Sequence, residues 1–243
     1  MADEILPQLR RARLTANYDI IGRSDDEINE AFNSDPKVLS VEELLYAATL
    51  TNDNARKEAI FNKTTQLYPN DFRAYNNLGE LAFAAGDAAK AENYFKQAAS
   101  KDANAPEVNT NLGYIELVKG NVANAETYLS KSTGANTANE ALGNLYIKQG
   151  QYDRAVQAFG DTKTNSAALA QILAKDYNKA KNTLNAVKNP DAYTDYLMAI
   201  VGARTNNADL VKTSMAKVAQ KDATLAAKAQ IDREFAKYAN EIK

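Results

Sequence analysis

The sequence predicts an all-α fold built from repeated helical hairpins that stack into an α-α superhelix. The first observation is composition: only 10 glycines and 5 prolines occur in 243 residues, whereas Ala, Lys, Glu, Gln and Leu, which lose little on entering a helix, recur throughout. The second is a Leu-Gly pair that recurs at Gly79, Gly113 and Gly143. Its spacings are 113 − 79 = 34 and 143 − 113 = 30 residues, which is typical of helical repeats.

Composition argues against several classes of function. The 29 basic and 31 acidic residues leave a formal net charge of -2, so no strong overall field attracts nucleic acid or anionic lipid. The chain has no histidine and no cysteine, which removes the commonest general base and the commonest metal ligands. No stretch reaches the roughly 20 apolar residues that span a bilayer. We therefore expect no enzyme activity, no cofactor, no metal, no nucleic-acid partner and no membrane insertion.

Three further positions repeat together with the Leu-Gly pair. A second glycine follows the first by seven residues and predicts the end of the first helix of each hairpin. An alanine and then a large residue follow at helical spacing, as close packing of two helices requires. These positions are Gly86, Ala91 and Phe95; Gly120, Ala125 and Leu129; and Gly150, Ala155 and Phe159.

This pattern resembles the tetratricopeptide repeat (TPR). The first repeat matches the family motif in order at Tyr75, Leu78, Gly79, Gly86, Ala91, Phe95 and Ala98. The resemblance implies antiparallel helix pairs that stack into a solenoid, and it implies a protein-binding scaffold rather than an enzyme. A monomer is expected for this stretch of chain.

The repeat predicts about five hairpins over residues 38–243. Residues 38–71 form a divergent first unit, which a capping box at Ser40 and Glu43 opens. Residues 224–243 have one apolar face, with Ile231, Phe235, Tyr238 and Ile242, and are expected to be a helix that caps the last hairpin.

Residues 1–37 do not fit the repeat and are predicted to be a separate segment. Apolar and polar residues alternate over 14–20, which predicts a short extended strand. Ser24 and Glu27 form a second capping box that opens a short helix.

The inner face of the first helices is the candidate site for a peptide or protein segment. Related peptide-binding TPR proteins carry asparagine at the position of Asn77 and Asn111, where an amide bonds to the backbone of an extended peptide. The alternative is that both asparagines are polar residues that face solvent and bind no ligand. The predicted contact residues are Arg73, Asn76, Asn77, Glu80, Phe83, Asn111, Tyr114, Leu117 and Asn144.

The order of segments from residues 10–15 through 41–50 to 202–210 also resembles the repeat region of cell-envelope proteins of Bacteroidetes. That resemblance implies a place in the periplasm or cell envelope as part of a larger protein, with the cytoplasm as the alternative. A structural spacer without a groove ligand is the alternative function. A continuous groove with apolar patches would favour the binding scaffold.

Overall fold

The computed structural model describes residues 22–240 and residue 242, and these residues form helices and turns without a β-strand. Contacts divide the chain into two compact units with a boundary between Tyr68 and Pro69. The sequence predicts a division at a different place, into residues 1–37 outside the repeat and 38–243 within it. That division rests on the repeat pattern rather than on contacts, and it stays a prediction. The strand expected at residues 14–20 lies outside the described residues.

From residue 22 onward, the first unit contains three α-helices and two short 3₁₀ helices. Their bounds are Asp25–Ser34 (α1), Pro36–Val38 (3₁₀), Val41–Ala47 (α2), Ala48–Leu50 (3₁₀) and Asn54–Leu67 (α3). Both capping boxes are confirmed: the carboxylates of Glu27 and Glu43 accept from the backbone amides of Ser24 and Ser40. Tyr68 donates to the Leu39 carbonyl at 2.7 Å, which ties the end of α3 to the start of α2.

The second unit consists of five helical hairpins followed by a capping segment, and the all-α prediction is confirmed. The hairpins are Phe72–Ala84 (α4) with Ala88–Lys101 (α5), Pro106–Lys119 (α6) with Val122–Leu129 (α7), Ala138–Lys148 (α8) with Tyr152–Phe159 (α9), Asn165–Leu173 (α10) with Tyr177–Asn185 (α11), and Ala192–Arg204 (α12) with Ala208–Lys221 (α13). With α2 and α3 of the first unit, the described residues contain six helix pairs, one more than the predicted number.

The hairpins of the second unit stack in chain order. Each second helix contacts the first helix of the next hairpin, and the first helices α4, α6, α8, α10 and α12 also contact one another in sequence. The first helices therefore form a layer of their own. Each first helix lies beside the first helix of the next hairpin.

The repeated glycines lie where the two helices of a hairpin are closest. A Cβ atom on Gly79 would be 2.4 Å from the Phe95 ring, and a Cβ atom on Gly113 would be 2.6 Å from Leu129. Gly143 has the same relation to Phe159, at 2.5 Å. None of the three glycines therefore has room for a side chain.

The capping segment differs from the single predicted helix over residues 224–243. It consists of Ala223–Gln230 (α14) and a 3₁₀ helix at Arg233–Tyr238, and the chain turns at Ile231, which is 85% exposed. The prediction that Ile231 faces the core was therefore wrong, whereas Phe235 and Tyr238 are buried against the last hairpin. Asp232 lies directly after this turn, where its carboxylate caps the 3₁₀ helix through the Glu234 amide and accepts the hydroxyl of Tyr196 on α12.

Candidate functional site

A cavity of about 270 Å³ lies on the layer of first helices. Its walls are Glu80, Phe83 and Ala84 of α4, Phe95 of α5, Asn111 and Tyr114 of α6, and Thr137 before α8. We call it the first-helix pocket. Four of the nine predicted contact residues, Glu80, Phe83, Asn111 and Tyr114, therefore line one cavity.

Local sequence determines how these side chains are presented. Asp71 caps α4 by accepting from the Arg73 amide, and Pro106 opens α6 at a position where no amide donor is needed. The pocket residues of each helix are three or four positions apart, Glu80 with Phe83 and Ala84 on α4 and Asn111 with Tyr114 on α6, which places them on one face. A different face of the same helices packs within the hairpin, where Gly79 lies against Phe95 and Gly113 against Leu129. The face with the pocket residues is therefore not used for this packing.

Three polar side chains form a hydrogen-bonded network that joins α4 to α6. The Nδ2 atom of Asn111 donates to Asn76 Oδ1 at 2.9 Å and to Glu80 Oε1 at 3.0 Å. Asn76 Nδ2 donates to the same Glu80 oxygen at 2.9 Å. Asn76 is only 4% exposed. Its buried amide bonds to both Glu80 and Asn111 and holds these two less buried side chains in fixed positions.

Tyr114 contributes an aromatic wall with a hydroxyl that stays protonated at neutral pH. Burial raises the pKa of Tyr114 to about 12, the Glu140 carboxylate adds to the rise, and a hydrogen bond with Asn144 opposes it. Asn144 also donates to the Glu140 carbonyl at 3.0 Å. The site thus continues from α6 onto α8, where Asn144 supports the tyrosine.

The first-helix pocket combines apolar walls with a polar edge. Phe83 is 39% exposed although it is a large apolar residue, and Tyr114 lines the same cavity. Glu80 and Asn111 supply a carboxylate and an amide at fixed positions. Apolar area with a few oriented polar groups is typical of sites that bind peptides or small ligands.

Three predicted contact residues lie elsewhere. Leu117 is buried in the core with Ala125 and Leu129 of α7, so its predicted place on the groove surface was wrong. It lies on the face of α6 that packs against α7. Arg73 pairs with the capping residue Asp71, Nη2 to Oδ2 at 2.6 Å. Asn77 is half-buried and does not line the pocket.

Three residues that line the pocket, Phe95, Ala84 and Thr137, are not among the nine predicted contact residues. Phe95 was assigned wholly to helix packing, yet its ring also reaches the cavity. The signal was Gly79, because a glycine opposite an aromatic ring brings that ring close to the first helix that lines the pocket. Ala84 had no signal beyond its place one residue after Phe83.

Metal binding and membrane insertion receive no support in the part of the chain that the structure describes. No group of three or more Asp or Glu side chains there is arranged to hold a metal ion. None of the described helices is both long and apolar enough to cross a bilayer.

Sequence comparison identifies tetratricopeptide repeats in the chain. Models described as tetratricopeptide repeat match residues 52–106, 76–140 and 137–160. Tetratricopeptide repeats therefore occupy residues 52–160, as the motif predicted, and the matches end before α10. No curated protein matches the chain in sequence.

Solved structures share the fold at low sequence identity. A chain of the APC/C hetero-tetramer Cut9–Hcn1 has a TM-score of 0.73 and 16% identity, over 86% of this chain and 46% of that chain. This chain thus spans about half of its length. A tetratricopeptide repeat protein from Parabacteroides merdae has a TM-score of 0.59 and 13% identity, over 90% of both chains.

The third is PilW, a widely conserved type IV pilus biogenesis factor. It has a TM-score of 0.59 and 19% identity, over 81% of this chain and 97% of that chain. At these identities the likenesses show a shared helical-repeat fold, and function has to be argued from the site.

Proposed function

We propose that the second unit is a non-enzymatic scaffold that binds an extended segment of a partner protein across the first-helix pocket. The observation that carries this proposal is the network of Asn76, Glu80 and Asn111 beside an exposed aromatic residue, Phe83. A spacer has no need for an ordered amide and carboxylate at the edge of an apolar cavity.

The network prepares the site for a peptide backbone. In the described part of the chain, the hydrogen bonds of Asn111 use its amide nitrogen, so its carbonyl oxygen remains to accept a peptide N–H. The Tyr114 hydroxyl, like any tyrosine hydroxyl at neutral pH, carries its proton and donates to a peptide carbonyl. Phe83 and the Tyr114 ring then hold an apolar side chain between these two contacts.

The predicted pairing of Asn77 with Asn111 changes accordingly. Asn111 keeps its proposed role as a peptide contact, but its partner amide is Asn76, which is one position earlier and is buried. We assign Asn76 to positioning Asn111 and Glu80 and expect the peptide to touch Asn111 directly.

The proposal is tested by selecting peptides from a random display library on the purified protein and measuring their affinity by calorimetry. Asn111→Ala is expected to weaken binding by about 1–3 kcal/mol, because a buried peptide N–H loses its acceptor. Tyr114→Phe removes the donor and keeps the ring, so it separates the hydroxyl from the apolar contact. Asn93→Ala is the matched control, since Asn93 is exposed on α5, away from the pocket.

Equal affinity of wild type and Asn111→Ala, with an unchanged melting temperature, would contradict the amide contact. A library that yields no binder would favour the spacer.

We further propose that the chain acts in the periplasm or cell envelope as part of a larger protein. The support is the resemblance of its segment order to the repeat region of Bacteroidetes envelope proteins, and the cytoplasm is the competing location. Fractionation of the source cells with an antibody against this unit tests it, and recovery with the cytoplasmic fraction would overturn it.

A further inference from the structure

A second groove lies between the last two hairpins, on the side of the second helices. It has a volume of about 450 Å³ and is bounded by α11, α12, α13 and the loop from Val187 to Pro190. We call it the second-helix groove. Its size is within the range of ligand sites in proteins. None of its lining residues belongs to the first-helix pocket.

The floor of the second-helix groove is apolar. Leu184 of α11, Met198 of α12 and Leu210 of α13 line it. Met198 and Leu210 are partly exposed, so the groove offers uncovered apolar surface. Methionine adapts its shape readily, which suits a surface that receives an inserted side chain.

The rim of the groove is positively charged. Three lysines line it, Lys181, Lys217 and Lys221, whereas Asp195 is the one acidic residue in the lining. Lys221 is already engaged, because its Nζ atom lies 2.7 Å from Asp195 Oδ2 and donates to the Pro190 carbonyl at 3.1 Å. Lys181 and Lys217 are exposed and have no ion pair among the described residues.

We propose that the second-helix groove is a docking site for a partner polypeptide segment in which acidic residues flank an apolar side chain. The apolar side chain enters between Leu184, Met198 and Leu210. The flanking carboxylates meet Lys181 on α11 and Lys217 on α13, which form no salt bridge with a described residue. Complementary charge on opposite sides of an apolar contact selects the partner and its orientation.

An acidic segment fits better than a small anion alone. The two free lysines belong to different helices and stand beside an apolar floor, so a ligand that uses the whole groove needs anionic and apolar parts together. The other pocket has the opposite character, because its charged lining residue is Glu80. A single segment therefore does not suit both sites.

The test is a selection of random displayed peptides on the wild-type protein, with counter-selection on the Lys181→Glu, Lys217→Glu double variant. We expect the retained peptides to be rich in Asp and Glu around Leu, Phe or Met. Their affinity, measured by fluorescence anisotropy, is expected to fall at least about tenfold in the double variant and to weaken as ionic strength rises.

The matched control is Lys131→Glu, Lys163→Glu, which makes the same change in net charge at two exposed lysines outside the groove. Binding in this control is expected to stay within about twofold of wild type, because neither lysine lines the groove and salt weakens the effect of exposed charges that do not contact the ligand. Met198→Gln keeps the charges and disturbs the floor, and it is expected to weaken binding as well.

Three results would overturn the proposal: no acidic peptides after counter-selection, equal loss of binding in both double variants, or binding that depends on the lysines but not on Met198. The last result would indicate a simple anion site. The Asn111→Ala variant is expected to bind these peptides normally, so failure here and failure of the first-helix site are distinguishable.

Discussion

In hairpins α4–α5, α6–α7 and α8–α9 the first helix carries a glycine beneath a large side chain of the second helix, whereas α10–α11 and α12–α13 carry an alanine. The large residue follows the small one by 95 − 79 = 16 residues in the first hairpin, and the same spacing recurs in the other four. In the last two hairpins the pairs are Ala168 with Leu184 and Ala199 with Met215, and each pair shares a buried cluster.

The turns between the two helices differ in the same way. Gly86, Gly120 and Gly150 have φ values of 84°, 81° and 72°, in the left-handed region that glycine adopts at little cost. The residues at the same place in the last two hairpins are Lys175, with φ 65°, and Asn206, with φ 55°. Each of the five lies nine residues before the large residue of its hairpin, as in 95 − 86 = 9.

The difference teaches which part of the motif is physically required. A small residue at the helix crossing and a left-handed residue at the turn occur in all five hairpins, but glycine fills both positions only in the first three. The last hairpin instead has a glycine one helical turn later, at Gly202, where a Cβ atom would be 3.0 Å from the Val211 amide nitrogen. Its close contact has thus moved toward the turn.

The last hairpin also differs at its open side, and there we expect the largest effect. It is covered by the capping segment rather than by another hairpin, and Phe235 is 1% exposed and packs edge-on against Tyr196 at 5.5 Å between ring centroids. Phe235→Ala is expected to lower the free energy of unfolding by about 3–5 kcal/mol, because it leaves a cavity in the cap. Chemical denaturation followed by circular dichroism measures this.

Ile231→Ala is the control for the cap. Ile231 is 85% exposed, so its removal is expected to change the unfolding free energy by less than about 0.5 kcal/mol. A loss at Ile231 as large as the loss at Phe235 would instead support the continuous helix that the sequence predicted, in which both side chains face the last hairpin.

A smaller effect is expected at the glycine crossings. Gly113→Leu introduces atoms where Leu129 already lies within 2.6 Å of the added Cβ position, and it is expected to lower the unfolding free energy by about 1–3 kcal/mol through overpacking. Gly22→Leu is the control, since none of the described residues lies within 4 Å of a Cβ atom at Gly22. An unchanged thermal midpoint for Gly113→Leu would remove the proposed register of the repeat.

The smallest effect is expected at the turns, and it has the opposite sign. Lys175→Gly relieves a left-handed conformation that costs a lysine about 1–2 kcal/mol. Glycine also increases the conformational entropy of the unfolded chain, and this cancels part of the gain in stability. We expect a net gain in stability of about 0.5–1 kcal/mol, measured as a shift of the denaturation midpoint.

Asn206→Gly is the matched substitution at the other turn. Asparagine tolerates the left-handed region, so the change is expected to be close to neutral. Equal gains at Lys175 and Asn206 would contradict the account of the turns given above.

The candidate site was predictable as a face but not as a set of contacts. Helical spacing from Gly79 and Gly113 places Glu80, Phe83, Asn111 and Tyr114 on the first-helix layer, and the cavity contains all four. The same spacing does not say that Asn111 bonds to Asn76 rather than lying beside Asn77. That choice depends on the offset between α4 and α6, which is determined by the packing of the two hairpins.

By itself, the sequence determined the helical hairpins, their turns and their small-large crossings, because these depend on residues near one another in the chain: capping side chains, left-handed turn residues and pairs at a constant spacing. Tertiary structure alone decided which residues of a helix are covered. Leu117 is buried and Ile231 exposed because burial depends on which neighbouring helix lies against each position. The local pattern predicted that α14 continues past Gln230, but the chain turns there. The Asp232 carboxylate after this turn accepts from Tyr196, a residue 36 positions away in the chain.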